Sequence, residues 1–252
     1  MKHWAVKKCA LALMCVVPVA VAIPPEHKIS ELPELEQEAQ HDTASERIAS
    51  YFTRYHFSSL TLDNELSEQI HERYFDLLDY SKMFLLKEDI EAAQEYRHLF
   101  DDMLKRGELD VAYDIYQKSL ERRFQRYEYA LSILDEDKPM DFSVEGDKYY
   151  YDREDAEWAE SKDELNDLWQ SRVKYDALNL KLAGKEWPEI VETLGKRYNS
   201  ALNRLTKSKS EDVFQTVMNA FARSVEPHTS YLSPSNSERF QQNMNLELEG
   251  IG

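Results

Sequence analysis

The 252-residue chain is acidic, with 48 Asp and Glu residues against 31 Lys and Arg residues and a formal net charge of −17 at neutral pH. This charge repels the phosphates of nucleic acids and anionic membrane surfaces, so neither is expected as a main partner. The chain has six glycines and is rich in Glu, Leu, Ala, Lys and Arg, a composition that favours helices.

Residues 1–22 have the pattern of a secretory signal peptide. Three lysines precede an apolar run, Cys9–Val21, and small residues at Ala20 and Ala22 predict cleavage after Ala22. A membrane anchor is the alternative, but the run is shorter than the roughly 20 residues that span a bilayer. We therefore expect no stable membrane insertion after cleavage. Both cysteines lie in this segment, so the exported protein, with a net charge of −20, would have no disulfide.

Apolar residues recur every three or four positions along most of the remaining chain, which predicts amphipathic helices. The first is expected over Glu34–Phe57, the second begins at the N-cap residue Asp63, and the third runs over Glu88–Gly107. The next has the clearest apolar seam and is predicted to be the spine of the domain. Its seam residues are Leu109, Tyr113, Tyr116, Leu120, Phe124, Tyr127, Leu131 and Leu134.

Three more helices follow in the second half of the chain. A capping box at Ser161–Glu164 starts the first of them, and Gly184 ends it. Pro188 is expected as the first residue of the second, and Ser210 as the N-cap of the third. That third helix should end near Val225, because a proline comes soon after it.

The helical period disappears between Glu136 and Ser161. Apolar and polar residues alternate over Met140–Val144, and three consecutive tyrosines follow at Tyr149–Tyr151. This pattern is compatible with a small β-hairpin inside the loop. A connection of this length is unusual in a compact domain. We expect a solvated excursion; a docking surface is the alternative.

The end of the chain has the period of a strand. Leu246, Leu248 and, after a glycine, Ile251 alternate with polar residues. A lone strand is marginal in water, so we expect a β-containing domain to begin here. The predicted organisation is a mainly α, multi-helix domain over residues 23–245 and the start of a second domain over residues 246–252.

Motifs that carry chemistry are scarce. There is no glycine-rich phosphate loop, no nucleophile elbow and no pair of histidines with helical zinc spacing. We therefore expect no catalytic residue, metal or cofactor in this chain. The seven histidines are His3, His27, His41, His56, His71, His98 and His228.

The segment Glu226–Pro234 differs from the helices around it. Pro227 disfavours a helical conformation at Glu226, and Ser233 and Pro234 suit the start of another helix. The residues between can bond the freed backbone groups of the turn or enter the core. They are His228, Thr229, Ser230, Tyr231 and Leu232. A packed corner between two helices accounts for all of them.

This segment also carries a family resemblance. Together with Gly250 and Gly252, Glu226–Pro234 resembles the sequence that precedes the PDZ domain in carboxy-terminal processing proteases; the family usually has Asp at the position of Glu226. Other segments are similar to the N-terminal helical domain of the long, tail-specific branch of that family. They are Phe75–Ser81, Arg122–Leu131, Pro139–Phe142 and Ser210–Phe214.

The resemblance implies a periplasmic serine endopeptidase, in the periplasm itself or at the periphery of the inner membrane. It implies a PDZ domain that captures apolar, unfolded C-termini of protein substrates, a Ser–Lys dyad, and an adaptor lipoprotein as a further partner. No position here matches the dyad, so this chain alone should be inactive. The alternative is a free-standing exported helical adaptor or chaperone-like binding protein.

Overall fold

The computed structural model describes residues 23–57, 60–144 and 146–249, with side chains up to residue 244. Within these residues the chain is mainly α, as predicted. The helices are α1 Ala39–Tyr55, α2 Asn64–Asp79, α3 Lys87–Ala93, α4 Phe100–Arg106, α5 Asp110–Ser132, α6 Lys162–Leu182, α7 Trp187–Leu205, α8 Ser210–Val225 and α9 Pro234–Glu249. The predicted signal peptide, including Ala20 and Ala22, lies outside the described residues.

Local capping chemistry sets several helix starts. The Asp63 carboxylate accepts a hydrogen bond from the Leu66 N–H at 3.2 Å, which confirms the predicted cap of α2. At the start of α6 the Ser161 hydroxyl accepts from the Glu164 N–H at 3.2 Å. The Glu164 carboxylate accepts from the N–H of Glu160 at 2.8 Å, not from that of Ser161, so only half of the predicted box forms.

Two predicted starts were wrong by one position. Pro188 is the second residue of α7, after Trp187, where its missing N–H is still harmless. Ser210 is the first residue of α8, and Lys209 occupies the cap position. The reason is that the Asp212 carboxylate accepts from the Lys209 N–H at 2.8 Å and thereby fixes the first turn one residue earlier.

The first helix begins at Ala39, later than the predicted Glu34. The backbone around Leu35 has no regular secondary structure, and its N–H donates to the Gln117 side chain of α5 at 3.3 Å. Leu35 is buried against the core. Tertiary contacts therefore replace the first predicted turn.

The third predicted helix is divided into α3 and α4 by a short 3₁₀ turn. The buried hydroxyl of Ser67, on α2, donates to the Arg97 carbonyl at 2.8 Å and accepts from the Phe100 N–H at 2.9 Å. These bonds satisfy backbone groups where the helix is interrupted. Gly107 ends α4 as predicted, with φ of +71°; a Cβ there would lie 2.5 Å from the Asp42 carbonyl oxygen.

The predicted hairpin in the loop after α5 was wrong. Residues 140–144 form no strand, and the β pairing found in the described part of the chain is a parallel bridge between Leu86 and Ala159. The Phe142 ring instead lies 4.8 Å from the Lys181 ammonium, at the end of α6. Met140 and Phe142 pack against the second hydrophobic cluster, whereas Val144 is 52% exposed, so the alternation does not mark one buried face.

The predicted terminal strand was also wrong, because residues 246–249 belong to α9. Leu248 follows Phe240 and Met244 at four-residue intervals, so the same leucine fits a helical stripe as well as a strand period. Ile251, Gly250 and Gly252 lie outside the described residues. That a further domain begins at residue 246 stays a prediction.

Helix α5 joins two hydrophobic clusters, as expected of the spine. Its first half packs with α1, α2, α4 and α8, and its second half packs with α6 and α7. Seven of the eight predicted seam residues are buried, and Tyr127 is partly buried. Burial of such a seam in two clusters joins α1, α2, α4, α6, α7 and α8 through α5 into one packed body.

A buried carboxylate shapes the turn between α2 and α3, residues 80–86. Asp79 is 4% exposed and accepts from three consecutive backbone N–H groups, at 2.8 to 2.9 Å. Burial raises the pKa of this carboxyl, and the three hydrogen bonds oppose that shift. The donors are Met83, Phe84 and Leu85. Against this turn docks the long connection (residues 133–161), where the Lys87 N–H donates to the Ala159 carbonyl at 2.9 Å.

Candidate functional site

The residues that carry the family resemblance form a compact corner (residues 226–233) between α8 and α9. Glu226 is the last residue bonded to α8, and its N–H donates to the Ala222 carbonyl at 2.9 Å. The Glu226 carboxylate then accepts from the Thr229 hydroxyl at 2.9 Å and from the His228 N–H at 3.0 Å. These two donors lower the pKa of the Glu226 carboxyl. The turn is thus closed around a carboxylate that stays ionised.

Tyr231 fixes the corner to α8. The Asn219 side chain brackets its backbone: the Tyr231 N–H donates to Asn219 Oδ1 at 3.0 Å, and Asn219 Nδ2 donates to the Tyr231 carbonyl at 3.3 Å. The tyrosine ring meets the Phe214 ring edge to face, with centroids 5.4 Å apart. Its hydroxyl donates to Glu211 Oε1 at 3.2 Å. Burial and this carboxylate raise the pKa of Tyr231.

Glu211 extends the contact to the first helix. Its second carboxylate oxygen lies 3.1 Å from Nε2 of His41, which is 2% exposed. The other ring nitrogen of His41, Nδ1, lies 2.8 Å from the Tyr113 hydroxyl of α5, and the imidazole stacks on Phe214 at 4.5 Å. Burial raises the pKa of Tyr113. The polar groups of three helices and the corner therefore form one network (the His41 network: His41, Tyr113, Glu211 and Tyr231).

Some predicted roles in the corner were wrong. Leu232 was expected to enter the core with Tyr231, but it is 45% exposed. His228 and Ser230 are also exposed. The turn is closed by the Glu226 carboxylate, so Thr229 is the predicted turn residue whose side chain takes part. Tyr231 instead packs against the first hydrophobic cluster, and Asn219 bonds its backbone on both sides.

The start of α9 is attached to the same face of α8. The Gln215 side-chain oxygen accepts from the Ser233 N–H at 3.4 Å and from the Asn236 amide at 3.1 Å. Ser233 is 3% exposed and precedes Pro234, as predicted for this helix start. Farther along, Phe240 and Met244 are 57% and 46% exposed. The helix thus leaves the bundle from a fixed base, with Phe240 and Met244 in solvent.

An aromatic groove lies beside the corner. Tyr51 and Tyr55, at the end of α1, are 67% and 70% exposed, and Phe57, two residues after the helix, is 88% exposed. With Glu226 and Thr229 among its other walls, the groove encloses about 560 Å³. Exposed aromatic side chains in a cluster are typical of binding surfaces.

The corner has the chemistry of a structural joint. Its one carboxylate is engaged with local donors, and its partly buried tyrosine bonds to another carboxylate. Across the described ranges, His, Cys, Asp and Glu residues form no group of three or more that could bind a metal ion. Likewise, none of the described helices is long and apolar enough to cross a membrane.

The His41 network was missed by the sequence analysis. His41 and Glu211 are 170 residues apart, so neither helical period nor motif spacing relates them. Their own helices give no signal either, since each residue is one polar position among many. A deeply buried histidine becomes recognisable only after α1 and α8 are packed together.

Comparisons with known proteins agree with the resemblance. Residues 48–235, which include the corner, match the family model for the tail specific protease N-terminal domain. A curated "Tail-specific protease" from Haemophilus influenzae is 42% identical over 236 residues, which covers 92% of this chain and 33% of the relative. The chain thus spans about a third of the length of that relative. On both findings, the chain belongs to the family of tail-specific protease N-terminal domains.

Proposed function

We propose that this chain is the N-terminal helical portion of a periplasmic serine endopeptidase that recognises the C-termini of proteins. Its role is to hold the following part of the enzyme in a defined position and to shape the access of unfolded chains. Membership of the family supports this role. The predicted signal peptide at residues 1–22 supports export to the periplasm.

The observation that carries the proposal is the double attachment of the corner to α8. Asn219 brackets the backbone of Tyr231, and Gln215 accepts from Ser233 and Asn236. Bonds on both sides of the turn restrict the direction in which α9 leaves the bundle. A protease that must align a captured C-terminus with a distant active site gains from such a fixed exit.

The chemistry belongs to the rest of the enzyme. A PDZ domain would capture apolar, unfolded C-termini by strand addition, and a Ser–Lys dyad would cleave the chain. We assign no catalytic residue to this chain. An adaptor lipoprotein is a further partner in this proposal, with the exposed surface of the helical bundle as its binding region.

A peptidase assay tests the role of the corner. We expect the 252-residue chain alone to leave a peptide with an apolar C-terminus intact, and the full-length enzyme to cleave it. In the full-length enzyme, Asn219→Ala should lower kcat/KM about tenfold, because the exit of α9 is no longer aligned. Asn179→Ala, at an exposed position of α6, is the matched control. Turnover by the chain alone, or a full rate for Asn219→Ala, would contradict the proposal.

The aromatic groove favours a second candidate, a free-standing exported adaptor or chaperone-like protein. Three exposed aromatic side chains, Tyr51, Tyr55 and Phe57, suit the capture of unfolded polypeptide. Sequencing of the gene beyond the codon for Gly252 separates the two candidates. A stop codon at that point would favour the adaptor, and a continuing PDZ-like sequence would favour the endopeptidase.

A further inference from the structure

A second groove lies far along the chain from the corner, between the long connection and α6. It encloses about 400 Å³. One wall is formed by residues 147–149, and the other is a single face of α6 whose members recur at helical spacing. On that face lie Asp167, Gln170, Ser171, Lys174, Tyr175 and Leu178.

Two tyrosines of the groove are in ring contact, and bonds to its hydroxyl hold one of them in place. The rings of Tyr149 and Tyr175 lie 5.1 Å apart with 33° between their planes. The Tyr149 hydroxyl donates to the sulfur of Met83 at 3.6 Å and lies 3.4 Å from Nη1 of Arg172, which donates to it. Contacts on the hydroxyl hold the ring in place, so the Tyr149 side chain loses little further entropy when a ligand stacks on it.

The charges of the groove are balanced. The groove is lined by two carboxylates and two ammonium groups, those of Asp147, Asp167, Lys148 and Lys174, and Lys174 forms an ion pair with Asp147. This balance sets the groove apart from the strongly acidic chain as a whole. Neither an anion nor a cation gains much net attraction from it.

The remaining polar groups can donate and accept hydrogen bonds. The Gln170 amide can do both, and so can the Ser171 hydroxyl one residue later on the same face of α6. A matching ligand is uncharged, presents an apolar face to the tyrosines and carries hydroxyl groups around its edge. A pyranose ring has this distribution, since its C–H bonds cluster on a face and its hydroxyls point outward.

We propose that this groove binds a neutral saccharide, with a sugar ring against Tyr149 and Tyr175 and its hydroxyls bonded to Gln170, Ser171 and Asp167. This binding activity is independent of the proposed protease function. The adjacent Tyr150 and Tyr151, 70% and 76% exposed, are not part of the groove.

Saturation-transfer NMR on the full 252-residue chain tests the proposal, with the neutral trisaccharides chitotriose and maltotriose as probes. We expect transfer from protein aromatic protons to the ring C–H protons of at least one probe. Tyr149→Ala should weaken that binding about fivefold to tenfold through the lost stacking. Tyr151→Ala, in the same loop but outside the groove, is the matched control and should bind like the unchanged protein.

Gln170→Ala provides a second test in case Tyr149→Ala disturbs the loop. Gln170 is exposed on α6, so its truncation should leave the fold intact and weaken binding about threefold through a lost hydrogen bond. Several results would overturn the proposal. They are the absence of transfer to both probes at millimolar concentration, equal losses in Tyr149→Ala and Tyr151→Ala, unchanged binding in Gln170→Ala, and displacement of the sugar by inorganic phosphate.

Discussion

The corner and the long connection are held in place by different contacts. Both join two helices, and their described residues form no helix or strand. The eight-residue corner is bonded by side chains of α8 and by the His41 network. The long connection is bonded at separate points along its length, from the Asp135 carbonyl, which accepts from the Trp187 indole, to Ala159, which pairs with the turn after α2. It exposes Tyr150 and Tyr151 midway.

The contrast shows where the stability of each segment comes from. Partly buried side chains of α8 bond the backbone of the corner at Tyr231 and Ser233, on both sides of Leu232. The last part of the long connection pairs with another turn, whose shape the Asp79 carboxylate holds through three N–H groups. The corner is thus ordered by side chains that contact it directly, whereas the order of the long connection depends on a residue outside it.

Replacement of Asp79 by Ala should have the largest effect on stability. The long connection should lose its order before the rest of the fold. It leaves three N–H donors of the turn without their acceptor, which should lower the free energy of unfolding by at least about 3 kcal/mol. Urea denaturation measures the loss, and hydrogen exchange should show lost protection around Ala159. Asp79→Asn keeps one acceptor oxygen, so its loss should be smaller. Equal stability of Asp79→Ala and the unchanged protein would refute the dependence of the long connection on this turn.

Replacement of Tyr231 by Ala probes the corner and should have a smaller effect. The ring is partly buried against Phe214, and its hydroxyl bonds to Glu211, so we expect a loss of about 2 kcal/mol in the free energy of unfolding. Tyr231→Phe removes the hydroxyl alone and should cost about 1 kcal/mol. Thermal or urea denaturation of both variants separates ring packing from the hydrogen bond. If Tyr231→Phe were as unstable as Tyr231→Ala, ring packing would contribute nothing to the corner.

The smallest expected effect is the pH dependence of the turn at Glu226. Its pKa is below the ordinary glutamate value of 4.5 in the folded protein, since Thr229 and His228 donate to the carboxylate. The stabilisation is therefore fully present above the ordinary value and is lost as pH falls through the lower, folded pKa. The amide chemical shift of His228 should report this midpoint in an NMR titration. Thr229→Val should raise the midpoint, and a wild-type midpoint at or above 4.5 would contradict the geometry.

Sequence patterns predicted the elements whose cause is local. The cap at Asp63, the end at Gly107 and the buried seam of α5 each depend on residues a few positions apart. The break between α3 and α4 could not be predicted in this way, because the hydroxyl that satisfies it belongs to Ser67 on another helix. The terminal strand failed because Leu248 fits both periods, and the short run offered no means of choosing between them.

Residues close together in the sequence were enough to predict the mainly helical fold, the apolar seam of α5 and the family motif at Glu226–Pro234. The reason is that side-chain period and backbone capping act over one or two helical turns. Only packing decided which polar groups became partners. His41 and Glu211 meet because α1 and α8 lie together around Phe214, and Tyr149 reaches Tyr175 because the long connection folds back onto α6. Such contacts depend on distances in space between residues far apart in the chain, and no local pattern encodes them.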